Sequence, residues 1–462
     1  MWGMRRKGYL TLTLTIIIKC DTMIRFLTKI FRNRINRRYR NHLNSTIGCY
    51  FPAFFEMNLD VCGNLDLNKL KDKQFALFLH EYTHFMQDVS TYYGLSNLFA
   101  VNEVIKSMHL NLTTSLPNGG KFNTPVDVMQ NNSILLANNQ LLDITFGTCI
   151  NINRFEVFNV KPKLEAVPNN QFVNQIDNVY VTTTSGDVFQ FGSLAIMENM
   201  AYLMEQLCVS ECEPSPDYPY SAAEKVASYV APSIGGSKLI VLALCDVSLQ
   251  ASNPGYYFYE TLKLVEKGTI TYTKPEDVYD DFYTRNVVTY HSSTIPNYLG
   301  QFRTTADAII DQEKKFIATP KLSAYWQWIE NAINYSYNLR LKHRYFIIDI
   351  AKTGDVRKSK VFADYIKTVG TPLMMNKCGK FYCVPSQNIP GDGMCYHRAM
   401  RQVYALLADG EKSCDMKDWC RQSKIKVDFR CNCSPWERVK EKDKCPYAVI
   451  WGSFNLGDYQ PE

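Results

Sequence analysis

No stretch of this 462-residue chain approaches the ~20 consecutive apolar residues that a membrane-spanning helix needs, so no transmembrane segment is expected. The apolar run Tyr9–Ile18 follows the basic Met1–Lys7. It then meets Lys19-Cys20-Asp21, where a signal peptide would need small residues for cleavage. Its Leu/Thr alternation predicts a strand, and Met23 is a second candidate start. Paired C-x2-C knuckles are missing, as is any internal repeat. The fifteen cysteines are odd in number and scattered, which excludes a compact secreted disulfide framework and fits reduced thiols in a cytoplasmic protein. A large charge of one sign is also lacking. The net +6 is mostly local to the five arginines of Arg32–Arg40, read as a solvated arm, and nothing else suggests nucleic-acid binding.

What remains is ordinary globular material, 46% hydrophobic and 13% aromatic, enough for a sizeable core. The length exceeds one domain, so several units are expected. Residues 1–50 form a basic and apolar extension, and 51–255 the main core. Residues 256–370 form a helical region, with Leu322 to Arg340 as its clearest helix, and 371–462 a cysteine-rich module. Within the core, 51–66 predicts a strand and turn, 68–93 a helix ended by Gly94, and 95–175 an irregular, asparagine-rich region. Val179–Phe191 predicts a β-hairpin turning at Ser185-Gly186-Asp187, and Gly192–Leu207 a second helix.

Histidine is scarce, seven in all, and two stand in Phe78-Leu79-His80-Glu81-Tyr82-Thr83-His84-Phe85-Met86. On a helix, residues four apart share a face, so His80 and His84 can point their imidazoles at one ion. Glu81 then lies beside that ion, where its carboxylate can take a proton from water. A zinc ion lowers the pKa of its bound water to about 7. Uncharged neighbours on both sides, among them Phe75, Leu77, Met86 and Val89, would keep bulk water out.

This segment resembles the active-site helix of the zincin metallopeptidases, and Gln87 extends it toward their HExxHxxQ variants. The metzincin continuation would place Gly and a third His where Gln87 and Ser90 stand, so that branch is excluded. The resemblance is specific over about twenty residues. It implies an α+β zincin-like core of gluzincin type: an active-site helix, a small antiparallel sheet, one catalytic Zn2+, and a third ligand Glu on a second helix.

Glu198 is the first choice for that ligand, because it sits among Leu194, Ile196, Met197, Met200 and Ala201, where an unpaired carboxylate is costly to bury. Glu103, 19 residues after His84, is the competitor, though Lys106 beside it suggests a solvated face. Gluzincins often carry Asp four residues after the ligand Glu to orient a ligating His. Tyr202 occupies that place here, and Asp246, within the apolar run after Leu239, is a candidate replacement. His291 is a candidate oxyanion donor. Cys414, Cys420, Cys431, Cys433 and Cys445 are candidate thiolates for a second, structural zinc. The expected function is a zinc-dependent peptidase acting on peptide or protein substrates. The alternatives are a zincin fold kept as a non-proteolytic binding module, or a structural metal site with a fourth protein ligand.

Overall fold

The computed structural model describes residues 48–462 except 129–132, 169, 171, 291–292, 317–318, 388 and 390. The strand expected at Tyr9–Ile18, the arginine run, Met23 and His291 lie outside the described residues. The chain is α+β, with helices outweighing several small sheets.

Strands β1 (Gly48–Phe51) and β2 (Glu56–Leu59) form an antiparallel hairpin with Gly48 opposite Leu59. Helix α1 (Asp72–Ser90) follows and carries the His-Glu motif. Phe78, Leu79, Tyr82, Phe85, Met86 and Val89 form one fully buried apolar face, and the polar face with His80, Glu81, Thr83 and Gln87 is buried as well, so α1 is a central helix. It stops at Thr91, where the backbone turns extended, and the Thr91 hydroxyl accepts from Gly94 N–H at 3.0 Å to start α2 (Tyr92–Ser115). Gly94 therefore does not terminate the motif helix. A Cβ there would lie 2.3 Å from the Gln87 carbonyl oxygen, so glycine is what lets α2 begin against the end of α1.

The region 95–175 is more ordered than its asparagines suggest. Beyond α2 it contains a helix at Ser133–Phe146 and the strand β3 (Val157–Ala166). Asn and Thr are weak helix formers, but α2 buries Leu98, Val101, Ile105, Met108 and Leu112 at alternating spacings of three and four, and that packing overrides local propensity. Strand β3 joins the expected hairpin, β4 (Gln175–Thr183) and β5 (Val188–Phe191), in an antiparallel sheet of order β3-β4-β5. Gly186 turns the hairpin at φ +89°.

Helix α3 (Ser193–Cys208) then packs against α1. Two later helices support this pair, α4 (Lys238–Ser248) and α5 (Ser323–Lys342). Strands β6 (Leu373–Asn376) and β7 (Phe381–Tyr382) close the sheet beside α1, in the order β1-β2-β6-β7. That sheet is mixed, because β2 and β6 run parallel with Glu56 opposite Leu373. A parallel partner so far along the chain has no local signature, unlike a hairpin. Helix α6 (Cys395–Asp409) fastens this region down. Its Arg398 pairs with the buried Glu56 on β2, and Arg401 Nε donates to the same carboxylate at 3.1 Å. Phe55 packs edge-on against Phe85 of α1 and Trp328 of α5, which ties the motif helix into the aromatic core. Among the described residues no helix is long and apolar enough to cross a membrane.

Candidate metal centre

His80 and His84 leave α1 on one face, one turn apart, and Glu198 meets them from α3. Ring contact holds the two imidazoles at 4.9 Å between centroids. Their Nε2 atoms lie 3.2 Å apart; His80 Nε2 is 3.2 Å from Glu198 Oε2, and His84 Nε2 is 3.4 Å from Glu198 Oε1. Among the described residues this is the one group of three or more potential ligand atoms lying within 4.8 Å of one another. All three side chains are at least 87% buried, and the group could hold a metal ion.

Each imidazole is oriented from behind. His80 Nδ1 donates to the Glu205 carboxylate, and His84 Nδ1 donates to Gln87 Oε1 at 2.8 Å. Gln87 Nε2 donates in turn to the Met197 carbonyl at 3.0 Å, linking α1 to α3 beside Glu198. With Nδ1–H engaged on both rings, Nε2 is the nitrogen that the neutral form of each ring leaves with a lone pair for a ligand. Glu205 thus takes the orienting role left open by Tyr202. It lies two helical turns after Glu198 on the same stripe, a spacing that signals a shared face.

Asp246 does not serve the site. It is fully buried, but Arg340 binds it bidentately at 2.6 and 2.7 Å, and the Tyr279 hydroxyl donates to it at 2.7 Å. Arg340 also donates from Nε to the Ser90 carbonyl at 3.0 Å, so this pair caps the end of α1. Glu103 is likewise elsewhere, paired with Lys106 at 3.2 Å on α2. The C-terminal thiols form no metal group: Cys414, Cys420, Cys431 and Cys445 are buried and Cys433 is exposed, but no three of them converge within 4.8 Å.

The electrostatics follow from burial and proximity. Burial alone would raise the Glu198 carboxyl, but the His84 and His80 imidazoles outweigh it and hold it well below the ordinary carboxylate range. Burial alone would lower His80, yet Glu205 and Glu198 push it well above its usual value; His84 is raised in the same way by Glu198. Glu81 is different. Burial pushes it up to about 7 against the opposing pull of His80 and His84, and it makes no hydrogen bond to any described residue.

Glu81 faces a cavity of about 40 Å³, lined also by Cys49, Tyr50, Asp88, Met197 and Tyr220. Strand β1 crosses directly over Glu81: a Cβ on Gly48 would stand 2.7 Å from Glu81 Oε1. Tyr220 is the functional candidate that sequence reasoning missed. Its ring lies 5.8 Å from that of His80, and burial next to Glu198 and Glu81 pushes the phenol up, keeping its proton. One tyrosine among twenty-nine, in an unremarked Asp217-Tyr-Pro-Tyr220 turn, carries no signal in sequence. Comparison of the chain with protein families, with curated proteins and with solved structures returns no match.

Proposed function

We propose that this protein is a zinc-dependent peptidase of the zincin type, with the gluzincin ligand set His80, His84 and Glu198. The observation that carries the reading is the spacing of the three ligand atoms. For zinc bonds of about 2.05 Å, the edge of a coordination tetrahedron is about 3.3 Å. The measured separations of 3.2, 3.2 and 3.4 Å match it without any rearrangement. Two imidazoles and one carboxylate also suit zinc better than calcium or magnesium, which favour oxygen ligands. Three protein ligands leave a coordination position open, as a catalytic site requires and a structural one does not.

Zinc in this place supplies Lewis acidity, acidifying water and polarising a peptide carbonyl. The chain's own groups do the rest. Glu81, with no hydrogen bond to the described residues and pushed up to about 7 by burial, takes a proton from the attacking water and returns it to the departing amine. Tyr220, protonated and facing the same cavity, donates a hydrogen bond to the carbonyl oxygen as negative charge develops there. Glu205 and Gln87 keep the two imidazoles aimed. The buried thiols Cys208, Cys245, Cys414 and Cys420 suit a reducing compartment, and we place the protein in the cytoplasm on that ground.

The test is zinc content per chain in the wild type, Glu198→Ala and Glu103→Ala. About one zinc should be found in the wild type and in Glu103→Ala, and none in Glu198→Ala. Glu81→Gln should keep the metal and lose hydrolysis of a peptide library. A wild-type protein that takes up no zinc on reconstitution would overturn the reading.

A further inference from the structure

Asp88 lies two turns beyond His80 and one beyond His84 on the same face of α1, and it lines the same cavity. Only one of its carboxylate oxygens is used. Oδ2 accepts from the Tyr50 hydroxyl at 2.9 Å and from Ala53 N–H at 3.3 Å, while Oδ1 has no hydrogen-bond partner among the described residues. Asp88 is only 6% exposed, and Oδ1 keeps some accessible surface at the residue that lines the cavity. Burial pushes the carboxyl up to about 7, against the Tyr50 and Ala53 hydrogen bonds. A carboxylate half satisfied at the wall of a cavity is an energetic cost that an incoming cation would offset.

Resting on the peptidase reading, we propose that Asp88 Oδ1 binds the α-ammonium group of a peptide's first residue, which makes the site an aminopeptidase. One feature favours a chain end over a chain running through. Tyr50 and Ala53 tie the far side of Asp88 to the β1–β2 turn, so the cavity is walled there. Helix geometry puts Asp88 about 6 Å along α1 from His84, a separation that suits an amine on the carbon next to the reacting carbonyl.

The experiment compares two metal-chelating probes of nearly equal shape, glycine hydroxamate and propionohydroxamate, which differ in an ammonium against a methyl group. Isothermal titration of zinc-loaded wild type and Asp88→Asn needs no turnover. Asparagine keeps the acceptor for Tyr50 and Ala53 and removes only the charge. The wild type should prefer glycine hydroxamate by about ten- to a hundredfold, the scale of one charged hydrogen bond, and Asp88→Asn should lose that preference with propionohydroxamate affinity unchanged. Equal binding in the wild type, or a preference that survives in Asp88→Asn, would overturn the assignment. The preference without hydrolysis of any free-amine peptide would leave Asp88 assigned to ammonium binding while removing the peptidase reading. Failure of both probes to bind would sink the two together.

Discussion

Gln87 holds two helices in register at the candidate metal centre: it accepts the His84 Nδ1 proton at 2.8 Å and donates to the Met197 carbonyl, next to Glu198, at 3.0 Å. One amide therefore sets a ring orientation on α1 and a backbone position on α3. An amide can do both, whereas a carboxylate has no proton for Met197 and a lysine no acceptor for His84. We expect Gln87→Leu to weaken zinc binding by about 10–100-fold, the usual effect of removing a partner behind a ligating histidine. Competition against a chelator of known affinity measures it directly. Unchanged affinity would mean that the surrounding packing alone fixes His84.

Tyr220 should act on turnover and leave the metal alone. Phenylalanine in its place keeps the ring against His80 and removes only the hydroxyl. Losing one hydrogen-bond donor to a developing oxyanion lowers kcat by about 10²–10³-fold. Steady-state kinetics of Tyr220→Phe should therefore show that fall in kcat with KM and zinc content near wild type. A change in KM alone would assign the hydroxyl to substrate binding.

The motif helix and the hairpin at 179–191 were legible because each is a short, local pattern: ligands four apart, an apolar run, a turn glycine between alternating strands. Glu198 was legible for an energetic reason, a carboxylate embedded in apolar neighbours. The same reasoning failed at Asp246, whose surroundings are equally apolar. A buried carboxylate is costly without a partner, but sequence does not say whether that partner is a metal or Arg340, which lies 94 residues away. Glu205 carried no such signal, and it shares with Glu198 a stripe that is buried. Gly94 misled for a related cause: the pressure on it comes from the α1 backbone at 2.3 Å, a tertiary contact, and its helix runs straight through it. The parallel pairing of β2 with β6 depends on residues far apart in the chain and left no local trace.

Arg340 and Asp246 make a separate prediction about stability. Both are almost wholly buried, at 3% and 0% side-chain exposure, and the arginine also bonds Ser90 at the end of α1. Replacing Arg340 with Met leaves the Asp246 charge buried without its counter-ion, which costs about 3–5 kcal/mol. Denaturant unfolding should show that loss as a lower midpoint. The double variant Arg340→Met with Asp246→Leu should recover a good part of it, because no orphaned charge then remains. A single variant as stable as wild type would indicate that water reaches Asp246.

His397 supplies a pH dependence independent of the metal centre. It is fully buried among Tyr325, Trp328 and Phe55, with ring centroids at 4.5, 5.0 and 5.6 Å, and neither ring nitrogen has a hydrogen-bond partner among the described residues. Burial lowers its pKa from 6.5 to about 3. Above pH 6.5 the ring is neutral in both the folded and unfolded chains and contributes no pH dependence. As the pH falls below 6.5, the unfolded chain takes up a proton that the folded chain refuses, so stability falls by about 1.4 kcal/mol per pH unit until the folded value is reached. Between pH 6.5 and 5 the wild type should therefore lose about 2 kcal/mol through this one residue. In His397→Phe that contribution is absent. The difference in unfolding free energy between the two proteins, followed by denaturant titration from pH 7.5 to 5, should be flat above 6.5 and then move steadily in favour of the variant. Parallel curves through the whole range would mean that the buried imidazole finds a proton acceptor or a water on protonation, and that the aromatic cage is less dry than its geometry implies.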